Sequence, residues 1–343
     1  MWYEVNEQLP IKGMVFNFLP SWWNKNYGLK FGRRFVFDPD FRTNILIRAE
    51  KIICEHFPEL HIGSIEPIPY VSMPDFGNTS TSIVAGCDVF YDDSIHPWNT
   101  HLEPERIAQL KSPTKLAEIF PYIEIIAQTN YLNKKLNLKA NPILPVRGIL
   151  NDSLLIQGHS FLEDFIIGQE SACNLLDFVY SILVSTIKEN HYNFNYSDMV
   201  MLCNCTVMMI SPQFYENHFL KFDLEIQKIV RSLNQKFAIH HCGVFDRYAS
   251  VYRKIPHIDF LAVGWNSDVK AALEMFPEAT VQYLISPAFL LSETAGRVAE
   301  KINSLLKSAG GNINRLRLEV SDIEFGTSKD NLVRLYKTVS NFG

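Results

Sequence analysis

From Met199 onwards the chain alternates between short apolar runs and longer amphipathic segments. The runs Met199–Ile210, Phe237–His241, Ile258–Val263, Thr280–Ile285 and Leu316–Val320 read as strands. Their near-continuous apolar character fits burial on both faces, as in a parallel sheet. Between and after them, Gln213–Lys236, Val269–Met275, Ser292–Ser308 and Lys329–Val339 carry apolar residues at helical spacing. Upstream, Ser82–Tyr91 and Ile143–Ile149 read as further strands, and Glu170–Lys188 as a helix. Asp40–Phe57 is predicted helical, with Asp40 as N-cap and Ile45, Leu46, Ala49, Ile52 and Ile53 on one face. Residues 1–40 are aromatic and broken by Pro10 and Pro20. They read as an arm packing on a main body.

Alternating strands and helices over one long chain point to a closed barrel or a doubly wound sheet. The polar residues fall just after the strand ends, where a barrel places its active-site loops, and this favours an α/β fold of the (βα)8 TIM-barrel type. The expected division is an N-terminal arm and helix over 1–58 and a barrel over 59–343. No Gly-x-Gly-x-x-Gly follows a strand and no Gly-Lys-Ser/Thr loop is present, so dinucleotide and P-loop sites have no support.

The 343 residues hold 32 Lys+Arg against 37 Asp+Glu, a net charge of -5. That argues against a nucleic-acid footprint or a polybasic membrane surface. No apolar run is long enough to span a bilayer, and the N-terminus does not read as a secretory signal. Six cysteines are too sparse for a disulfide scaffold, so a cytoplasmic protein with reduced thiols is expected.

The most informative segment is FAIHHCGVFDR (237–247), an apolar strand ending in His240-His241-Cys242-Gly243. Residues two apart on a strand share a face, so His240 and Cys242 point together and His241 points away. An imidazole and a thiolate at one site suit a borderline-soft metal, zinc by default. The other reading is a buried His and a buried Cys without metal. Trp98 and Trp265 sit in loops and could wall a flat cofactor, an aryl ether or a methylammonium group; ordinary packing is the alternative. Asn204, inside MLCNCTVMMI (201–210), either orients a substrate or pairs internally. Cys203 and Cys205 share a face, but Cys-x-Cys without a nearby His is weak metal evidence.

His-x-Cys-Gly at the end of an apolar strand, late in an α/β chain, resembles the uroporphyrinogen decarboxylase superfamily. The resemblance is greater to its cobalamin-dependent methyltransferase branch. It is supported by AGCDVFYDDSIHPW (85–98), VRGILND (146–152), MISPQFYENHF (209–219) and FGTSKDNLVRLYKTV (325–339), in that order. The resemblance implies a (βα)8 barrel holding zinc through His-x-Cys and a further cysteine on the last strand. It implies methyl transfer between a corrinoid (cobalamin), bound directly or carried by a partner protein, and a small methyl donor or acceptor. His240 and Cys242 carry over as metal ligands.

The third cysteine does not carry over: the last strand reads LRLEVSD (316–322). Asp322 lies nearer the matching position and is the expected third ligand. Glu319, facing inward, is the other candidate for the third ligand and the expected catalytic residue. Trp98, Asn204 and Trp265 would contact substrate. A metal-free decarboxylase is the second reading, though 17–34 lacks the Arg-Gln-Ala-Gly-Arg run of that branch. A non-catalytic corrinoid- or tetrapyrrole-binding protein is the third.

Overall fold

The computed structural model describes residues 1–196 and 198–342. Among the described residues there are nine strands: β1 (Trp2–Glu4), β2 (Gly13–Phe18), β3 (Val89–Phe90), β4 (Trp98–Asn99), β5 (Met199–Cys203), β6 (Lys236–His241), β7 (Phe260–Val263), β8 (Thr280–Ile285) and β9 (Leu316–Ile323). Seven form one sheet in the order β1-β2-β9-β8-β7-β6-β5. All neighbours in it are parallel except β1, which runs antiparallel to β2. The sheet curls in the manner of a TIM-like barrel, but among the described residues its ladder is not closed into eight strands. The core is continuous, and β6, β7 and β8 are buried along most of their length, as their apolar runs require.

The helices return the chain between these strands. Val269–Met275 starts where the Asp268 side chain accepts from the Ala271 N–H, and Ala295–Ala309 where Thr294 accepts from Arg297. Lys329–Ser340 closes the chain. The segment expected as one helix over 213–236 is two, Pro212–His218 and Leu220–Ser232. The early helix runs Pro39–His56 and is capped by Asp38, not Asp40: Asp38 accepts from the Phe41 N–H at 2.9 Å, with Pro39 in the first turn. No helix among the described residues is long and apolar enough to cross a membrane.

The N-terminal segment differs from the expected arm. Its run GMVFNF is β2, paired in parallel with β9, so it belongs to the sheet itself. Two expected strands are absent. Residues 82–91 give a helix, Ser80–Ala85, ended by Gly86 at φ 89°, and then only the two-residue β3 in a hairpin with β4. Residues 143–149 stay out of the ladder because Pro142 and Pro145 remove donors. Asn190 stands in for a neighbouring strand there, its side-chain amide bonding both the N–H and the carbonyl of Leu144 at 2.8 Å.

Candidate metal centre and cavity

Parallel register sets the site. Cys203 of β5 lies opposite His240 of β6, and His240 opposite Ala262 of β7. The next residue on β5's path, Asn204, donates its N–H to the His240 carbonyl at 2.8 Å and ends the ladder. The chain then turns into a 3-10 segment, Cys205–Met209. Cys205, two residues beyond Cys203, therefore arrives beside Cys242, two residues beyond His240. The ligand atoms of Cys205, His240 and Cys242 all lie within 4.8 Å of one another.

Protonation within this triad is shared unequally. The contact with the Cys205 thiol holds Cys242 below the ordinary thiol value. The same contact, and then burial, push Cys205 up to about 12. Of the two sulfurs, the more exposed Cys242 is therefore the easier to ionise. Burial works against a charged His240, but its bond to Cys205 and the nearby Glu319 carry it above the ordinary imidazole value.

The triad opens into a cavity of about 890 Å³ that reaches from the barrel interior to the C-terminal ends of the strands. Glu319 and Trp265 line it. Glu319 is 3% exposed and accepts hydrogen bonds from Gln282 and, at 2.8 Å, from the Ser321 hydroxyl. Burial raises its pKa, against the pull of Ser321 and of His240. As expected for this strand, Arg317, Glu319 and Ser321 face the cavity while Leu316, Leu318 and Val320 are core. Trp265 packs on Phe289 with ring centres 4.7 Å apart.

Three other expected site residues lie elsewhere. Asp322 lines the outer cavity but is not part of the triad. The pairing of β9 with β2 shifts between Val320 and Ile323, which leaves Asp322 in a bulge at φ 50°. The bulge re-aims its carboxylate to the Asn17 side chain, 3.3 Å away. Trp98 is on the exposed β3–β4 hairpin, stacked on Phe90, and lines neither of the two larger cavities. Asn204 points away from the cavity because it alternates with Cys203 and Cys205. It donates to the buried Asp223 carboxylate at 2.6 Å. Cys205 is the residue that sequence reasoning passed over. The usable signal was the juxtaposition of β5 and β6, which aligns Cys-x-Cys with His-x-Cys.

Comparison with known proteins places the chain by family and fold. Residues 79–340 match the family described as Uroporphyrinogen decarboxylase (URO-D). The chain belongs to that enzyme family. A methyltransferase from Methanosarcina mazei shares the fold, with TM-score 0.64 and 15% identity over 98% of this chain and 93% of that one. A B12-independent methionine synthase from Shewanella sp. W3-18-1, in complex with selenomethionine, aligns with TM-score 0.38 and 13% identity, over 75% of this chain and 73% of that one. No curated protein matches the sequence.

Proposed function

We propose that the chain is a zinc-assisted methyltransferase moving a methyl group between a corrinoid, carried by a partner protein, and a small substrate. The observation that carries this reading is the convergence of Cys205, His240 and Cys242 at the mouth of the cavity. Two thiols and an imidazole are a usual zinc donor set, and tetrahedral zinc with Zn–S near 2.3 Å wants donors roughly 3.8 Å apart. The observed spacing, within 4.8 Å, needs only a small closure. Three protein ligands and a cavity on the fourth side are the arrangement of a catalytic rather than a structural site. Bound there, zinc would lower the pKa of a substrate thiol or hydroxyl.

The chain's own groups have separate tasks. Cys205, His240 and Cys242 hold the metal in place of the expected Asp322. Glu319, buried in the cavity wall within electrostatic reach of His240, holds or accepts a proton at its carboxyl oxygens. Trp265 supplies an apolar wall that excludes water from the transferred methyl group. The decarboxylase reading wants converging free arginines for a multiply acidic substrate. Arg147 and Arg317 do line the cavity, but each faces a carboxylate, Asp152 at 3.6 Å and Glu4 at 2.9 Å. Methyl transfer is therefore the better reading.

The test is metal content by mass spectrometry on chain purified without chelator, followed by demethylation of methylcobalamin in the presence of thiol acceptors, read from the corrinoid spectrum. About one zinc per chain, with thiol-dependent demethylation lost in Cys242→Ala, is the expected result. A metal-free chain with unchanged turnover in Cys242→Ala would overturn the proposal.

A further inference from the structure

The two residues that alternate with Cys205, His240 and Cys242, namely Asn204 and His241, point the other way, into a single buried polar cluster. Asn204 precedes Cys205, and His241 lies between His240 and Cys242. Asn204 donates from its amide to Asp223 at 2.6 Å, and Tyr215 donates its hydroxyl to the same carboxylate oxygen at 2.6 Å. His241 Nδ1 lies 3.1 Å from the Tyr252 hydroxyl, and the Tyr252 ring packs against Tyr215 with centres 5.5 Å apart. All five residues are 3% exposed or less. Asp223 comes from the helix Leu220–Ser232, behind the sheet. A buried carboxylate is costly unless its oxygens are bonded, and here one partner, Asn204, adjoins Cys205 while the other, Tyr215, comes from the helix Pro212–His218.

We propose that Asp223 is a positioning residue for the metal centre, acting through Asn204. The carboxylate fixes the Asn204 side chain. The Asn204 backbone in turn donates its N–H to the His240 carbonyl. One residue therefore ties the end of β5 to β6 at the point where Cys205 must meet His240 and Cys242. Cys205 has left the ladder and has no strand partner of its own, so its neighbours fix its approach: Asn204 on one side and, on the other, Thr206, whose N–H and hydroxyl both donate to the Asn151 side chain. Partners of this kind, one step behind the ligands, typically contribute 10–100-fold in metal affinity. This inference rests on the reading of Cys205, His240 and Cys242 as zinc ligands.

The experiment compares zinc affinity, by chelator competition on the full chain, in wild type, Asp223→Leu, Asp223→Asn and Asn204→Ala. Cobalt(II) replaces zinc for a parallel absorption spectrum, which reports thiolate ligation directly. Val339→Ala, a core change in the last helix, serves as a control for lowered stability alone. Asp223→Leu and Asn204→Ala are expected to weaken zinc about 10–100-fold and alter the cobalt spectrum. Asp223→Asn, which keeps an acceptor oxygen, should stay close to wild type, and Val339→Ala should lower Tm without moving the affinity. If Asp223→Leu does not fold, Asn204→Ala carries the test. Tight zinc binding and a wild-type cobalt spectrum in Asn204→Ala and in any folded Asp223→Leu would overturn the positioning role. Wild type that binds neither metal would instead overturn the zinc reading on which it rests.

Discussion

At the scale of single residues, the two cysteines of Cys203-x-Cys205 share a face but differ in depth. Cys203 is held in the ladder opposite His240, whereas Cys205 lies past the strand end beside Cys242. Metal analysis should therefore separate them. Cys205→Ala is expected to lose zinc, while Cys203→Ala and Asp322→Ala retain it. That His240 and Cys242 share a face was legible from strand parity alone, since a two-residue period needs no tertiary knowledge. Cys205 was not, because its role depends on which strand lies next to β6. Asp152 gives a second prediction at this scale. Burial raises its carboxyl from 3.8 to about 6, against Arg147 and the Thr81 hydroxyl bond. The folded state therefore binds the extra proton between those values, and stability falls as pH rises through them. Asp152→Asn should flatten the dependence of Tm on pH between about 4 and 6, an effect of about 3 kcal/mol at most. An unchanged slope in the variant would show that this carboxyl is not the group titrating.

Elements were readable where one signal sufficed and misread where two competed. Thr280–Ile285 and Val269–Met275 match the sequence reading end to end, because an unbroken apolar run and a capped amphipathic turn each admit one interpretation. Ser82–Tyr91 was apolar enough for a strand, but no neighbouring strand was there to pair with it beyond β4, and its first half is helical. β2 was hidden by its setting, an aromatic stretch flanked by prolines. The loops joining elements at the site are as constrained as the strands. Gly264 follows β7, and a Cβ there would lie 2.0 Å from the Cys242 carbonyl oxygen and 2.5 Å from that of Gly243. Both contacts are backbone, so the β6 end would have to shift. Gly264→Ala is expected to destabilise the fold by about 1–3 kcal/mol and to weaken zinc as well. Thermal melts and chelator competition on the same preparation check both effects. Unchanged zinc affinity in the variant would mean that Cys242 tolerates the displacement.

For the whole molecule, the sheet order places Cys205, His240 and Cys242 at the β5–β6 edge and the N-terminal strands at the opposite edge. Because the sheet curls, Trp2 and Asn17 from that far edge line the same cavity as Cys205 and Cys242. The N-terminal segment thus does two jobs: it covers β9, and it supplies part of the cavity wall. Met14, Phe16 and Phe18 of β2 are fully buried against the core. Phe16→Ala should therefore cost about 3–5 kcal/mol, and removing residues 1–18 should abolish cooperative unfolding, since it would leave the β9 edge and this core face exposed. Metal binding should respond differently to the two changes. Phe16→Ala alters packing behind β9 and leaves β5, β6 and the Asp223 cluster untouched, so zinc stoichiometry is expected to persist at temperatures where the variant remains folded. Loss of zinc from folded Phe16→Ala would show that the two edges are coupled across the cavity rather than independently built. An arm merely resting on a finished barrel would instead leave the truncated chain folded and melting cooperatively, and that outcome would contradict the sheet order described for β2.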